Sequence, residues 1–123
     1  MKVVIPYWHG LVSPMFDGAS TILLVDIVRG TEVQRKKKTF RYTNPLSRVR
    51  FLVNLGTHTL ICGAISRHLE FTLQSSGIKV VSNICGPTEE VLKAFLNGAL
   101  LSSHFLMPGY IDRGRSGRNR TNL

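Results

Sequence analysis

The segment LICGAISRHLEFTLQSSGIKVV, Leu60 to Val81, constrains the fold more than any other part of the chain. An apolar run halts at Cys62-Gly63 and a loop of small residues follows. Next comes a stretch at helical spacing with Leu69 and Leu73 four apart, then a stop at Gly77 and a second apolar run. Strand, helix and strand in that order form a parallel crossover, which sets the two strands side by side with both carboxyl ends on one edge. The Cys62 loop and the loop from Asn83 to Cys85 therefore meet. A loop running from a buried strand into a helix start leaves backbone N–H groups aimed outward, an arrangement suited to an anion.

The flanking sequence completes the layout. Lys2 to Ile5 reads as a short strand, Pro6 to Gly10 as a loop, and Leu11 to Ser20 as an ordered turn region pinned by Met15 and Phe16. Thr21 to Val28 and Thr31 to Thr39 form an antiparallel hairpin around Arg29-Gly30. Asn44 and Pro45 start a helix whose apolar positions are Leu46, Val49, Leu52 and Val53, with Gly56 as its stop. Ser66 to Ser75 and Thr88 to Asn97 are the further helices, separated by a strand at Lys79 to Ser82. The expected fold is α/β, a three-layer α/β/α arrangement with a mixed five-stranded sheet and helices on both faces. In such open sheets the ligand crevice lies at the carboxyl ends of the strands.

A chain of 123 residues is one domain, read as a folded unit over 1–107 and a basic, Gly/Arg-rich mobile tail over 108–123. Sixteen Lys and Arg against seven Asp and Glu give a net charge of +9, which implies an anionic partner. The charge is concentrated in Arg35, Lys36, Lys37 and Lys38, then Arg41, Arg48 and Arg50, and finally Arg113, Arg115, Arg118 and Arg120. Two cysteines in apolar contexts do not make a secreted disulfide framework, and no apolar run approaches a membrane span. The expected compartment is the cytoplasm, without membrane contact.

The carboxyl edge gathers Trp8 and His9, the run Cys62 to Arg67, and the run Cys85 to Thr88. Helix N-termini at Ser66 and near Thr88 point at it, so an anion is expected there. A metal-sulfur cluster is an anion that thiolate or imidazole can also ligate. Each residue has a plainer reading: the cysteines as small core hydrophobes, the glycines as turn formers, and His58, His68 and His104 as surface or satisfied residues. The Arg35 to Lys38 block reads as a solvated edge strand or as a binding face. The absence of GxGxxG, GxxxxGK[ST], GxSxG and HExxH disfavours nucleotide binding and the corresponding hydrolases. Too few inward carboxylates are present for a two-metal nuclease.

Five segments in order, MKVVIP, VSPMFDGASTILLVDI, LICGAIS, LQSSGIKVV and GPTEEVLKAFLNGAL, resemble the accessory family of nitrogenase iron-molybdenum cofactor biosynthesis, small ribonuclease H-like domains. The resemblance spans residues 1 to about 108. It implies a non-enzymatic protein that binds, carries or delivers a metal-sulfur cluster, iron-sulfur or molybdenum-containing, to a recipient apo-protein. The cradle expected from it is Trp8, His9, Ser13, Gly63, Ala64, Ile65, Ser66, Arg67 and Thr88, with Cys62, Cys85 and His9 as metal ligands and the basic block neutralising charge. Met15 stands where the family often has a histidine, which shifts the expectation toward thiolate or electrostatic holding. The alternative is a nucleic-acid-binding module built on the basic block and the arginine tail.

Overall fold

A computed structural model describes residues 1–40, 44–100 and 105–107. Its strands and helices, in chain order, are β1 (Lys2–Trp8), β2 (Leu11–Val12), β3 (Thr21–Val28), β4 (Thr31–Thr39), α1 (Pro45–Asn54), β5 (Thr59–Ile61), α2 (Arg67–Ser75), β6 (Lys79–Val81) and α3 (Thr88–Leu96). The expected tail from Pro108, together with Arg41, Tyr42 and His104, lies outside the described residues.

The sheet runs in the order β4-β3-β1-β5-β6, with β2 attached to β1. β1, β5 and β6 are mutually parallel, while β3 runs against β1 and β4 against β3. This is the expected mixed five-stranded sheet with one small strand added. Alternation along the strands divides the core into two layers. Val3, Ile5, Leu23, Val25, Ile61 and Val81 pack under Val91, Leu92 and Ala94 of α3. Val4, Ile22, Leu24, Leu60 and Val80 pack under Val49 and Leu52 of α1 and Leu69 and Leu73 of α2. Helices therefore cover both faces.

Local chemistry sets the helix starts. The Asn44 side chain accepts from the Leu46 and Ser47 amides, and Pro45 occupies the first turn, where its missing N–H costs nothing. The inner face of α1 is Arg48, Val49 and Leu52; Leu46 and Val53, expected to join it, are exposed. Ten residues of helix hold only one apolar stripe against the sheet, so the flanking apolar positions face outward.

The first loop also differs from expectation. β1 continues through Pro6, Tyr7 and Trp8, and His9-Gly10 turns it directly into β2. Both turn residues have positive φ, 49° and 82°, the pairing that lets a two-residue turn match strand twist. Pro6 needs no donor here: its carbonyl accepts from the Ser13 amide. After β2, Phe16 starts a short 3-10 turn (Phe16–Gly18) and is fully buried, while Met15, expected to pin the region, is 59% exposed.

Candidate functional site

Four backbone segments converge beyond the carboxyl ends of β1, β5 and β6. Ile84 N–H donates to the Cys62 carbonyl and Asn83 N–H to the Gly63 carbonyl, at 3.0 and 2.9 Å, so the two expected loops do lie side by side. The segment after β2 adds a third layer: Ala64 N–H donates to Pro14 O and Phe16 N–H to Ala64 O, both at 2.8 Å. A Cβ on Gly63 would sit 2.6 Å from both Pro14 O and Ser13 O, so only glycine permits this approach. The β1–β2 hairpin completes the rim, because Val12 N–H donates to Gly86 O and Thr88 N–H to Gly10 O.

These contacts reassign several groups that were expected to face a guest. The Ser66 amide, at the start of α2, donates to Asp17 Oδ1 at 3.0 Å, so the positive end of that helix already holds a carboxylate of the protein itself. The Ser66 hydroxyl caps the Leu69 amide. The amide and hydroxyl of Thr88 both donate to Gly10 O, and its side chain is buried. Among the described residues, the amides of Gly63, Ile65, Arg67 and His68 have no acceptor of this kind. Gly63 is buried, so Ile65, Arg67 and His68 carry the donors left accessible at this edge.

The expected side chains divide between rim and core. Trp8 is 53% exposed, with its ring edge-on to His9 at a centroid distance of 4.8 Å. Trp8, Ser13, Pro14, Met15 and Gly18 line a cleft of about 250 Å³. Arg67 is exposed at the first turn of α2, and Ile65 packs against the α1/α2 core. Cys62 belongs wholly to that core, where burial, with the nearby Glu70 and Asp17 carboxylates, drives its thiol pKa far above the ordinary value. Cys85 is half-buried and its Sγ lies 3.6 Å from Leu106 O, beside residues packed on the α3 layer. The two sulfurs thus belong to different layers although their backbones adjoin. Among the described residues no three His, Cys, Asp or Glu side chains cluster as a metal-ligand group.

Arg48 carries a role that sequence reasoning missed. It is 4% exposed, with its guanidinium 4.4 Å from the Phe40 ring centroid and 5.8 Å from that of Phe16. Nη1 donates to Phe16 O at 3.1 Å, while Nε is buried without a partner. Desolvation lowers its pKa, and the Asp17 carboxylate opposes that shift. Arg48 therefore fixes the 3-10 turn that carries Asp17 to the start of α2. The available signal was helical spacing, since Arg48 precedes Leu52 by four and shares its face.

The basic block is β4, the outermost strand, separated from β5 by β3 and β1. Arg35 pairs with Glu32 and with Glu89 on the first turn of α3, which ties the edge strand to the helix and holds the Glu32 carboxyl below its usual range. Lys37 Nζ lies 4.4 Å over the Tyr7 ring. Among the described residues no helix is long and apolar enough to cross a membrane.

An open mixed sheet with helices on both faces and loops gathered at its carboxyl edge defines a small three-layer α/β domain. The chain matches the family model described as dinitrogenase iron-molybdenum cofactor over residues 1–98, and it belongs to that family. Among solved structures it is similar to PH0822, at 26% identity over 80% of this chain and 92% of that one, with a TM-score of 0.74. It is similar to TM1290 of Thermotoga, described as belonging to the DUF35 family, at 28% identity over 80% and 89%, with a TM-score of 0.60. The apo form of the orange protein from Desulfovibrio gigas shares the fold at 21% identity, over 85% and 94%, with a TM-score of 0.67. No curated protein matches the chain.

Proposed function

We propose that this protein is a non-catalytic carrier of an anionic metal-sulfur cluster, iron-sulfur or molybdenum-containing, which it holds at the loop rim and passes to a recipient apo-protein in the cytoplasm. Family membership supports this class of cargo. The observation that carries the reading to this rim is the ladder joining Pro14, Ala64 and Phe16, which fixes the Trp8–Met15 cleft close to the unpaired amide of Ile65. Fixed amide dipoles and the exposed Arg67 favour a guest of negative charge.

The donor set fits a lightly ligated guest. Cys62 cannot reach a rim-bound metal without opening the core, so Cys85 and His9 are the side-chain ligands this reading retains. The remaining hold is electrostatic, through amides and guanidinium, with Trp8, Ser13 and Met15 as walls. Reconstitution without oxygen from iron, sulfide and thiomolybdate, followed by gel filtration, tests it. A charge-transfer band co-eluting with the protein is the expected result, and a colourless protein fraction defeats the reading.

A further inference from the structure

We infer that the outer edge of β4 is a strand-addition site for an extended, acidic segment of a partner protein. Among the described residues β4 pairs only with β3, so the other side of its backbone presents a row of unpaired N–H and C=O groups. The register with β3 is unbroken from Thr39 back to Gln34 and shifts at Val33, where one residue bulges out. A regular edge of that length accepts a short strand, as in β-augmentation.

Charge selects the occupant. Successive side chains on a strand point to opposite faces, so Lys37 stands on the α3 side while Lys36 and Lys38 stand on the α1 side. Arg35 is already engaged by Glu32 and Glu89, whereas among the described residues Lys36, Lys37 and Lys38 form no ion pair. On the α3 side, Arg35, Lys37, Tyr7 and Thr88 help line a cleft of about 530 Å³. A strand carrying consecutive Asp or Glu residues would set acids on both faces at once, opposite Lys36 and Lys38 on one face and, on the other, Lys37, whose ammonium so far meets only the neutral Tyr7 ring and hydroxyl. A second copy of this chain is a poor occupant, because antiparallel pairing of two such edges would oppose lysine to lysine in a molecule of net charge +9.

The test uses the full-length, isotopically labelled chain and a synthetic peptide of about eight residues with a central run of glutamates flanked by valine and threonine. Expected is a selective gain of amide exchange protection from Gln34 to Thr39. A peptide with proline inserted in the glutamate run, which removes a ladder donor, should bind about tenfold more weakly. The double variant Lys36→Glu with Lys38→Glu should lower affinity by about tenfold or more. Equal binding of the proline peptide would reduce the edge to unspecific charge attraction, and unchanged exchange at β4 would exclude addition there. Tighter binding of an oligothymidylate to the same amides would assign the edge to nucleic acid and overturn the inference. Both peptide comparisons use the unaltered chain, so they decide the matter even where the double variant fails to fold.

Discussion

The amide of Ser66 donates to the Asp17 carboxylate across a sequence separation of 49 residues. The start of α2, where an anionic guest was expected, is thus occupied by an anion belonging to the chain. Any negatively charged cargo at the rim meets this carboxylate at short range. Asp17→Asn keeps an oxygen for the Ser66 amide and removes the charge. Thiomolybdate affinity, measured by anaerobic titration, should rise about threefold to tenfold, and more at low salt. Unfolding free energy in urea should fall by only about 0.3–1 kcal/mol, the usual scale of a helix-terminus charge. Unchanged affinity would place the guest away from α2.

Gly63→Ala should be costly in both respects. Its methyl group would meet two carbonyl oxygens at 2.6 Å, so the 13–17 segment must lift away from the Cys62 loop, breaking the Pro14–Ala64 and Ala64–Phe16 bonds. The expected loss is about 2–3 kcal/mol of stability in urea melts, with loss of the co-eluting band. An alanine variant as stable as the parent would show that the close approach is not required.

The two free thiols should behave differently. Native protein treated with an alkylating agent should be modified at Cys85 only, with Cys62 reacting on the timescale of unfolding. Peptide mass mapping reads the site. The folded state also keeps the Cys62 thiol protonated where the unfolded chain ionises it, so the folded state binds the extra proton. The contribution is fully present below the ordinary thiol value and is lost as pH rises past about 9. Cys62→Ala should flatten this alkaline decline relative to the parent, by up to about 1.4 kcal/mol per pH unit. Equal alkaline slopes would mean the thiol is not buried as described.

Arg48 offers a contrast between losing a charge and losing a contact. Arg48→Met retains bulk between Phe16 and Phe40 while removing a desolvated cation, and should change stability by less than about 1.5 kcal/mol. Arg48→Ala opens a cavity beside both rings and should cost about 3 kcal/mol. Urea unfolding of the pair separates the two contributions. Equal losses would mean that the charge, rather than packing, holds the turn.

Much of this fold was legible because local chemistry agreed with the tertiary outcome. The hairpin boundaries at Thr21, Val28, Thr31 and Thr39 follow from one apolar run, Thr21 to Val28, and the turn at Arg29-Gly30, whose φ values of 52° and 77° are those of a tight turn and return the chain as a basic partner strand. Asn44-Pro45 marked a helix start for the same reason. Pro6 misled, because a strand whose next hydrogen bond is accepted by a carbonyl tolerates a residue without a donor. The rim was legible as a meeting of loops, since the β5-α2-β6 crossover dictates it. The destinations of its donors were not: Asp17 and Gly10 are remote in sequence from the amides they receive, and no local pattern records such a partner. Arg48 was hidden among surface-like charges, and only its helical phase separated it from Arg50.

The most direct measurement is elemental and acid-labile sulfide analysis of the full chain purified entirely without oxygen, with the Gly63→Ala variant prepared in parallel. Metal and sulfide retained together by the parent and lost from the variant are the expected result. Parent protein free of metal and sulfide after such handling, or a variant that keeps both in equal amount, would contradict a cluster held at this rim.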